Sequence, residues 1–141
     1  MNMDEIKIMI INDSMAIRLY LEEVVNSFED CKVINSSSNG KIALIHLKRL
    51  KPDIILLDLE MPQIDGLTFL EKIRGTYNIP VIVMSVYAND GSAVLDDAIK
   101  AGAVDYIAPP TDYSELQKRK FKTTLRSKIS KAKLLKLKSE A

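Results

Sequence analysis

Apolar residues follow two alternating rhythms along this chain. Short, nearly unbroken apolar runs occur as KIMIIN (Lys7 to Asn12), CKVIN (Cys31 to Asn35), DIILLD (Asp53 to Asp58), PVIVMS (Pro80 to Ser85) and DYIA (Asp105 to Ala108). Runs this short and rich in β-branched residues predict strands buried on both faces. Between them, apolar residues recur every three or four positions, the spacing of a helix with one face inward. Asp13-Ser14 offers an N-cap for the first helix, whose inward face is Ile17, Leu21, Val24 and Phe28. A second helix is predicted from Lys41 to Leu50, with Ala43, Leu47 and Leu50 inward, and is ended by Lys51-Pro52. A third runs from Gly66 to Arg74 on Leu67, Leu70 and Ile73, and a fourth from Ser92 to Lys100, stopped by Gly102. Pro109-Pro110 cuts off the fifth strand, and a last helix starts near Ser114.

Five strand–helix units with apolar strands predict an α/β domain, a parallel sheet covered by helices on both faces. In such sheets the ligand site lies beyond the carboxyl ends of the strands, where the strand order switches. The residues there are Asn12-Asp13, Asp58, Ser85 and Ala108-Pro109. Two aspartates and a hydroxyl are thus expected in one crevice. Paired carboxylates repel, and a hard divalent cation such as Mg²⁺ relieves the repulsion while keeping positions open for phosphate oxygens. Asp58 then suits the part of a nucleophile forming an acyl phosphate, with Ser85 donating a hydrogen bond to the product.

Composition limits the alternatives. The 141 residues suit one domain with a core that needs neither disulfide nor structural metal. With 47% hydrophobic and 28% charged residues the composition is that of a soluble globular protein. No run approaches the roughly 18 apolar residues of a membrane span, and MNMDEIK lacks the layout of a signal peptide. The single cysteine, Cys31, is expected to lie buried in the second strand. A cytoplasmic location is the simplest expectation.

The net charge of +1 conceals an asymmetry: residues 1–115 carry −8 and residues 116–141 carry +9. The tail places Phe121, Leu125 and Ile129 in one stripe for packing on the sheet, with Lys and Arg on the other faces. Two readings stand: a solvated last helix running into a linker, or a docking surface for an acidic partner, nucleic acid or anionic membrane. The chain ends too soon after it for a DNA-binding module, so direct nucleic-acid contact is not expected.

The motifs INDS, LLDLEMPQIDGL, VIVMS and AGAVDYIAPP together resemble the receiver domain of two-component response regulators, over roughly Lys7 to Ile129. Within that family, DLEMPQIDGL and GAVDYI are most similar to the regulatory domain of chemotaxis methylesterases. The resemblance implies a flavodoxin-like fold with five parallel strands in the order 2-1-3-4-5. It also implies a phosphoryl group received on Asp58 from a sensor histidine kinase, with Mg²⁺ held by Asp13, Asp58 and the backbone carbonyl of Glu60. Ser85 matches the switch hydroxyl and Tyr106 the aromatic relay that moves with it, although plain core packing is the competing reading of Tyr106. On this reading residues 1–129 are the receiver and 130–141 a basic helical extension or linker. The output is a downstream protein or an output domain missing from these residues.

Two positions depart from the family pattern. Asn12 stands where a second acid is usual, and Pro109 where a lysine is usual. Pro110 then matches the family proline, whose preceding peptide bond is typically cis. The missing ammonium normally pairs with the acceptor aspartate and later with its phosphate. A receiver of this kind, signalling by phosphorylation on Asp58, is the expected function. A constitutive interaction module that needs no phosphate is the first alternative, and the regulatory piece of a methylesterase the second. No Gly-x-Ser-x-Gly elbow occurs in the chain, so esterase activity is not expected of it.

Overall fold

The computed structural model describes residues 5–61, 65–88 and 92–140. Strands and helices alternate as β1 (Ile6–Ile11), α1 (Met15–Asn26), β2 (Cys31–Ser37), α2 (Gly40–Leu47), β3 (Ile54–Asp58), α3 (Gly66–Ile73), β4 (Val81–Met84), α4 (Ala93–Lys100), β5 (Asp105–Ile107) and α5 (Glu115–Glu140). All neighbouring strands are parallel, in the order β2-β1-β3-β4-β5, as expected.

Strand side chains alternate between the two faces of the sheet. Ile8, Ile10, Ile54, Leu56, Ile82 and Met84 pack under α1 and α5, against Leu21, Val25, Phe121, Leu125 and Ile129. Met9, Ile11, Ile55, Leu57, Val81 and Val83 pack on the other side with Ala43, Leu47, Phe69, Leu70, Ile73, Leu95 and Ala98 of α2, α3 and α4. Each Leu, Ile or Phe fully withdrawn from water contributes about 1.5–3 kcal/mol, so both layers are needed to offset the entropy of ordering the chain.

Several element boundaries differ from the sequence reading. β2 continues to Ser37, because a register shift between Ile8 and Met9 lets it stay paired with β1 up to Ile11. α2 begins one residue early, at Gly40, where the Asn39 side chain accepts the Ile42 N–H at 2.9 Å. It stops at Leu47 rather than Leu50. In α3 the largest buried side chain is Phe69, while Leu67, expected inward, is only partly buried. Gly102 ends α4 at φ +118°, a backbone conformation that side chains with a Cβ rarely adopt. Cys31 is buried as expected, and burial beside Asp30 pushes its thiol up to about 12.

The basic tail is part of the same long helix. Its buried stripe of Phe121, Leu125 and Ile129 runs one step further, to Ala132. Cations of this helix are paired with the body, among them Arg126 with Asp30, Lys128 with Asp105 and Lys136 with Asp53. Ser139 also takes a hydrogen bond from the Asn78 amide at 3.2 Å. Among the described residues no helix is long and apolar enough to cross a membrane.

Candidate functional site

The carboxyl ends of β1, β3 and β4 meet as the sheet topology requires. Leaving β1, the chain turns sharply at Asn12, which is 2% exposed. Its N–H donates to the Ser37 carbonyl at 3.1 Å and its side-chain oxygen accepts the Ser14 N–H at 2.9 Å. Ser14 then caps α1, accepting the Ile17 N–H at 3.3 Å. The amide of Asn12 is therefore a turn-forming group, and Asp13 is left as the exposed acid of this turn.

Asp58 ends β3, where its carboxyl group lies close to that of Asp13. One of its oxygens also accepts the Glu60 N–H at 3.0 Å. Burial, with the neighbouring Asp13 carboxyl and the charge of Glu60 adding to it, pushes the Asp58 carboxyl up to about 7. The Glu60 N–H pulls the other way and loses. Asp58 has no ion-pair partner among the described residues, consistent with proline at 109.

Beyond β4, Ser85 is 1% exposed. Its N–H donates to the Ile107 carbonyl at 3.1 Å, and its hydroxyl oxygen accepts the Tyr87 N–H at 3.1 Å. The loop after β3 is stitched to this segment twice: Leu59 N–H donates to the Met84 carbonyl at 3.0 Å, and Val86 N–H donates to a Glu60 carboxylate oxygen at 3.0 Å. Asp13, Asp58, Glu60 and Ser85 are thus brought to one end of the sheet.

Tyr106 sits differently. It is 39% exposed at the sheet edge, with Lys128 Nζ 5.3 Å from its ring centroid, so the core-packing reading of it fails. Its neighbour Asp105 holds that lysine at 2.8 Å, and the paired ammonium stands over the electron-rich ring face. The bond before Pro110 is trans, against the cis bond that the resemblance implied; among the described residues no peptide bond is cis. His46, the single histidine of the sequence, is partly buried. Pro62, Gln63 and Ile64 of the LLDLEMPQIDGL motif lie outside the described residues.

Two residues of this site escaped the sequence reading. Arg18 sends a guanidinium N–H to the Asn12 carbonyl at 2.7 Å, placing a cation beside the acidic turn. The Glu60 side chain was missed because its partner is 26 residues further along. The only sequence signal for either was a charged residue close to a strand end.

A family model, Response regulator receiver domain, matches residues 8–120. The chain is 39% identical over 105 residues to a protein-glutamate methylesterase/protein-glutamine glutaminase of Sulfurimonas denitrificans, covering 74% of this chain and 30% of that protein. It is 35% identical over 137 residues to the protein of that name in Hydrogenovibrio crunogenus, covering 92% and 36%. The chain spans about a third of the length of these relatives. Among solved structures, the response regulator domain of Thermotoga maritima CheB superposes with a TM-score of 0.83 at 32% identity, over 92% of this chain and 96% of that one. R. sphaeroides CheY6, solved in complex with the P1 domain of CheA3, is similar at a TM-score of 0.74 and 29% identity, over 90% and 98%.

Proposed function

The chain belongs to the response regulator receiver domain family, and from that membership we propose that Asp58 is its phosphoryl acceptor, served by a histidine kinase. Receiver domains of this kind act in phosphorelay signalling. The observation that carries the assignment is the neighbouring carboxyl groups of Asp13 and Asp58 at the carboxyl ends of β1 and β3, with the Glu60 N–H directed at Asp58. Two neighbouring acids with no ion-pair partner among the described residues are costly to keep for structure alone, and they suit a site that takes in a cation and an anionic group.

In the transfer, an Asp58 carboxylate oxygen attacks the phosphorus of a phosphohistidine. An O–P bond forms, the P–N bond breaks, and its electron pair stays on the imidazole nitrogen, which takes up a proton. Glu60 N–H, already directed at Asp58, holds the carboxylate in place. Ser85 accepts from Tyr87 through its hydroxyl oxygen, which leaves its own proton for the phosphoryl oxygens. Tyr106 would follow Ser85 as its relay by moving inward from its exposed position.

The carboxyl pair fits Mg²⁺, a hard cation that accepts one or two carboxylates and keeps other positions open. Asp13, Asp58 and the Glu60 backbone carbonyl would hold it. When bound, it supplies counter-charge to both carboxylates and to the incoming phosphoryl group. Residues 1–129 make up the receiver and 130–141 its basic extension. The partners are a cytoplasmic sensor kinase and a downstream protein or output domain. The methylesterase activity named for the relatives belongs to those longer proteins, of which this chain matches about a third.

Intact-mass measurement after incubation with Mg²⁺ and acetyl phosphate tests the reading. One phosphoryl increment on the wild type, absent from Asp58→Asn, is the expected result. A wild type that stays unlabelled at saturating donor and Mg²⁺ would favour the interaction module that needs no phosphate.

A further inference from the structure

Ser85 is bracketed from both sides by the residues that follow Asp58. The carbonyl of Met84, just before it, is held by Leu59 N–H at 3.0 Å; the N–H of Val86, just after it, is held by the Glu60 carboxylate at 3.0 Å. The Glu60 backbone N–H is meanwhile bonded to Asp58 itself at 3.0 Å. One residue therefore touches the acceptor with its main chain and the switch segment with its side chain. Its carboxylate also lies near enough to Asp58 to work against ionisation there.

We infer that the Glu60 carboxylate is a charge-sensing clamp, which pins the Ser85 segment while Asp58 is free and lets it go when Asp58 carries a phosphoryl group. The inference rests on Asp58 being the acceptor. Phosphorylation adds negative charge beside a carboxylate that has already taken a backbone donor, and like charges at this range repel. Expelling the carboxylate frees the Val86 N–H and removes one of the two stitches that tie the Ser85 segment to the loop after β3. The remaining stitch, Leu59 N–H to Met84, is neutral and unaffected by the new charge. A chain with proline at 109 has no ammonium there to link phosphate to switch, and the Glu60 clamp provides such a link by repulsion. Glu60 is in this sense a positioning residue; no bond of the transfer is made or broken on it.

The test uses the full chain with Mg²⁺ and beryllofluoride as the phosphoryl mimic, read by amide hydrogen exchange and backbone NMR shifts at Ser85 to Tyr87. In the wild type the Val86 amide is expected to be protected without the mimic and to lose protection with it. Glu60→Ala should lack that protection from the start and bind the mimic about two- to fivefold more tightly, since an exposed charged contact no longer has to be broken. Glu60→Gln keeps an acceptor for Val86 but not the charge, so its Val86 amide should stay protected after the mimic binds. Equal Val86 protection in wild type and Glu60→Ala, or a Glu60→Gln response matching the wild type, would overturn the clamp while leaving the acceptor assignment intact. A wild type that responds to neither beryllofluoride nor acetyl phosphate would remove both.

Discussion

Gly66 packs its backbone directly on Leu59. A methyl group on its Cα would lie 2.8 Å from the Leu59 Cα and 3.0 Å from the Asp58 carbonyl oxygen. The contact sets where α3 begins, since Asp65 caps that helix by accepting the Thr68 N–H at 2.8 Å and Gly66 is its first residue. Real Cβ atoms do not come this close to backbone, so Gly66→Ala must push α3 away from the end of β3. A stability loss of about 1–3 kcal/mol is expected in urea melts, together with slower labelling of Asp58. A variant as stable as the wild type and labelled at the same rate would show that the loop absorbs the methyl group without moving Asp58.

The Asp58 carboxyl titrates near 7 in the folded chain and near 3.8 when exposed. Between those values the folded state keeps a proton that the unfolded chain has released, so this group's contribution to stability is full below about 3.8. It declines as pH rises and is gone above about 7. Asp58→Asn is neutral throughout and should be more stable than the wild type at pH 8, by about 1–3 kcal/mol, with little difference at pH 4. Mg²⁺ competes with the same proton and should bind more weakly at pH 6 than at pH 8. Parallel thermal melts and Mg²⁺ titrations check both. An Asp58→Asn advantage independent of pH would assign its effect to packing instead.

Pro109→Lys is expected to bring an ammonium to Asp58. An opposite charge favours the ionised carboxylate, so the Asp58 titration should move down, and beryllofluoride should bind about tenfold more tightly. NMR titration of Asp58 and mimic-binding isotherms measure these effects, with circular dichroism to establish that the variant folds. A folded Pro109→Lys variant with an unmoved Asp58 titration would place the new side chain away from the site.

Arg126 ties α5 to the start of β2. It chelates both oxygens of Asp30, with the second contact at 2.8 Å, and its guanidinium lies 5.3 Å from the Phe28 ring centroid. The arginine holds the Asp30 carboxyl below its usual range, so this pairing stabilises the fold above about pH 4 and fades as acid protonates Asp30. Both side chains are more than a third exposed, and solvent screening limits the pair to about 0.5–1.5 kcal/mol. A double-mutant cycle of Arg126→Ala and Asp30→Asn at pH 7 should return a coupling in that range. A coupling of zero would leave Arg126 as a packing residue over Phe28.

Truncation after residue 130 tests whether the last turns of α5 belong to the packed domain. The cut removes buried Ala132 and the Lys136–Asp53 pair at 3.4 Å, so it should lower the melting midpoint by several degrees. An unchanged midpoint would mean that the last turns of α5 only border the domain.

Strand positions, the parallel sheet and the gathering of Asp13, Asp58 and Ser85 at its end were legible in the chain because each follows from a local pattern, whereas the strand order came from the resemblance. Apolar runs make strands, three-to-four spacing makes helix faces, and a parallel sheet puts all its strand ends on one side. Phe69 was passed over although it sits next to Leu70, because on a short helix a shift of one residue rotates the inward face by about 100°. The contacts that distinguish this site were not legible. Glu60 with Val86, Arg126 with Asp30 and Lys136 with Asp53 join residues 26, 96 and 83 positions apart. The exposed Tyr106 meets Lys128, which lies on a different element. Hydrogen bonds and charges act over a few ångströms of space whatever the separation along the chain, so only the packed sheet and its helices decided which side chains meet.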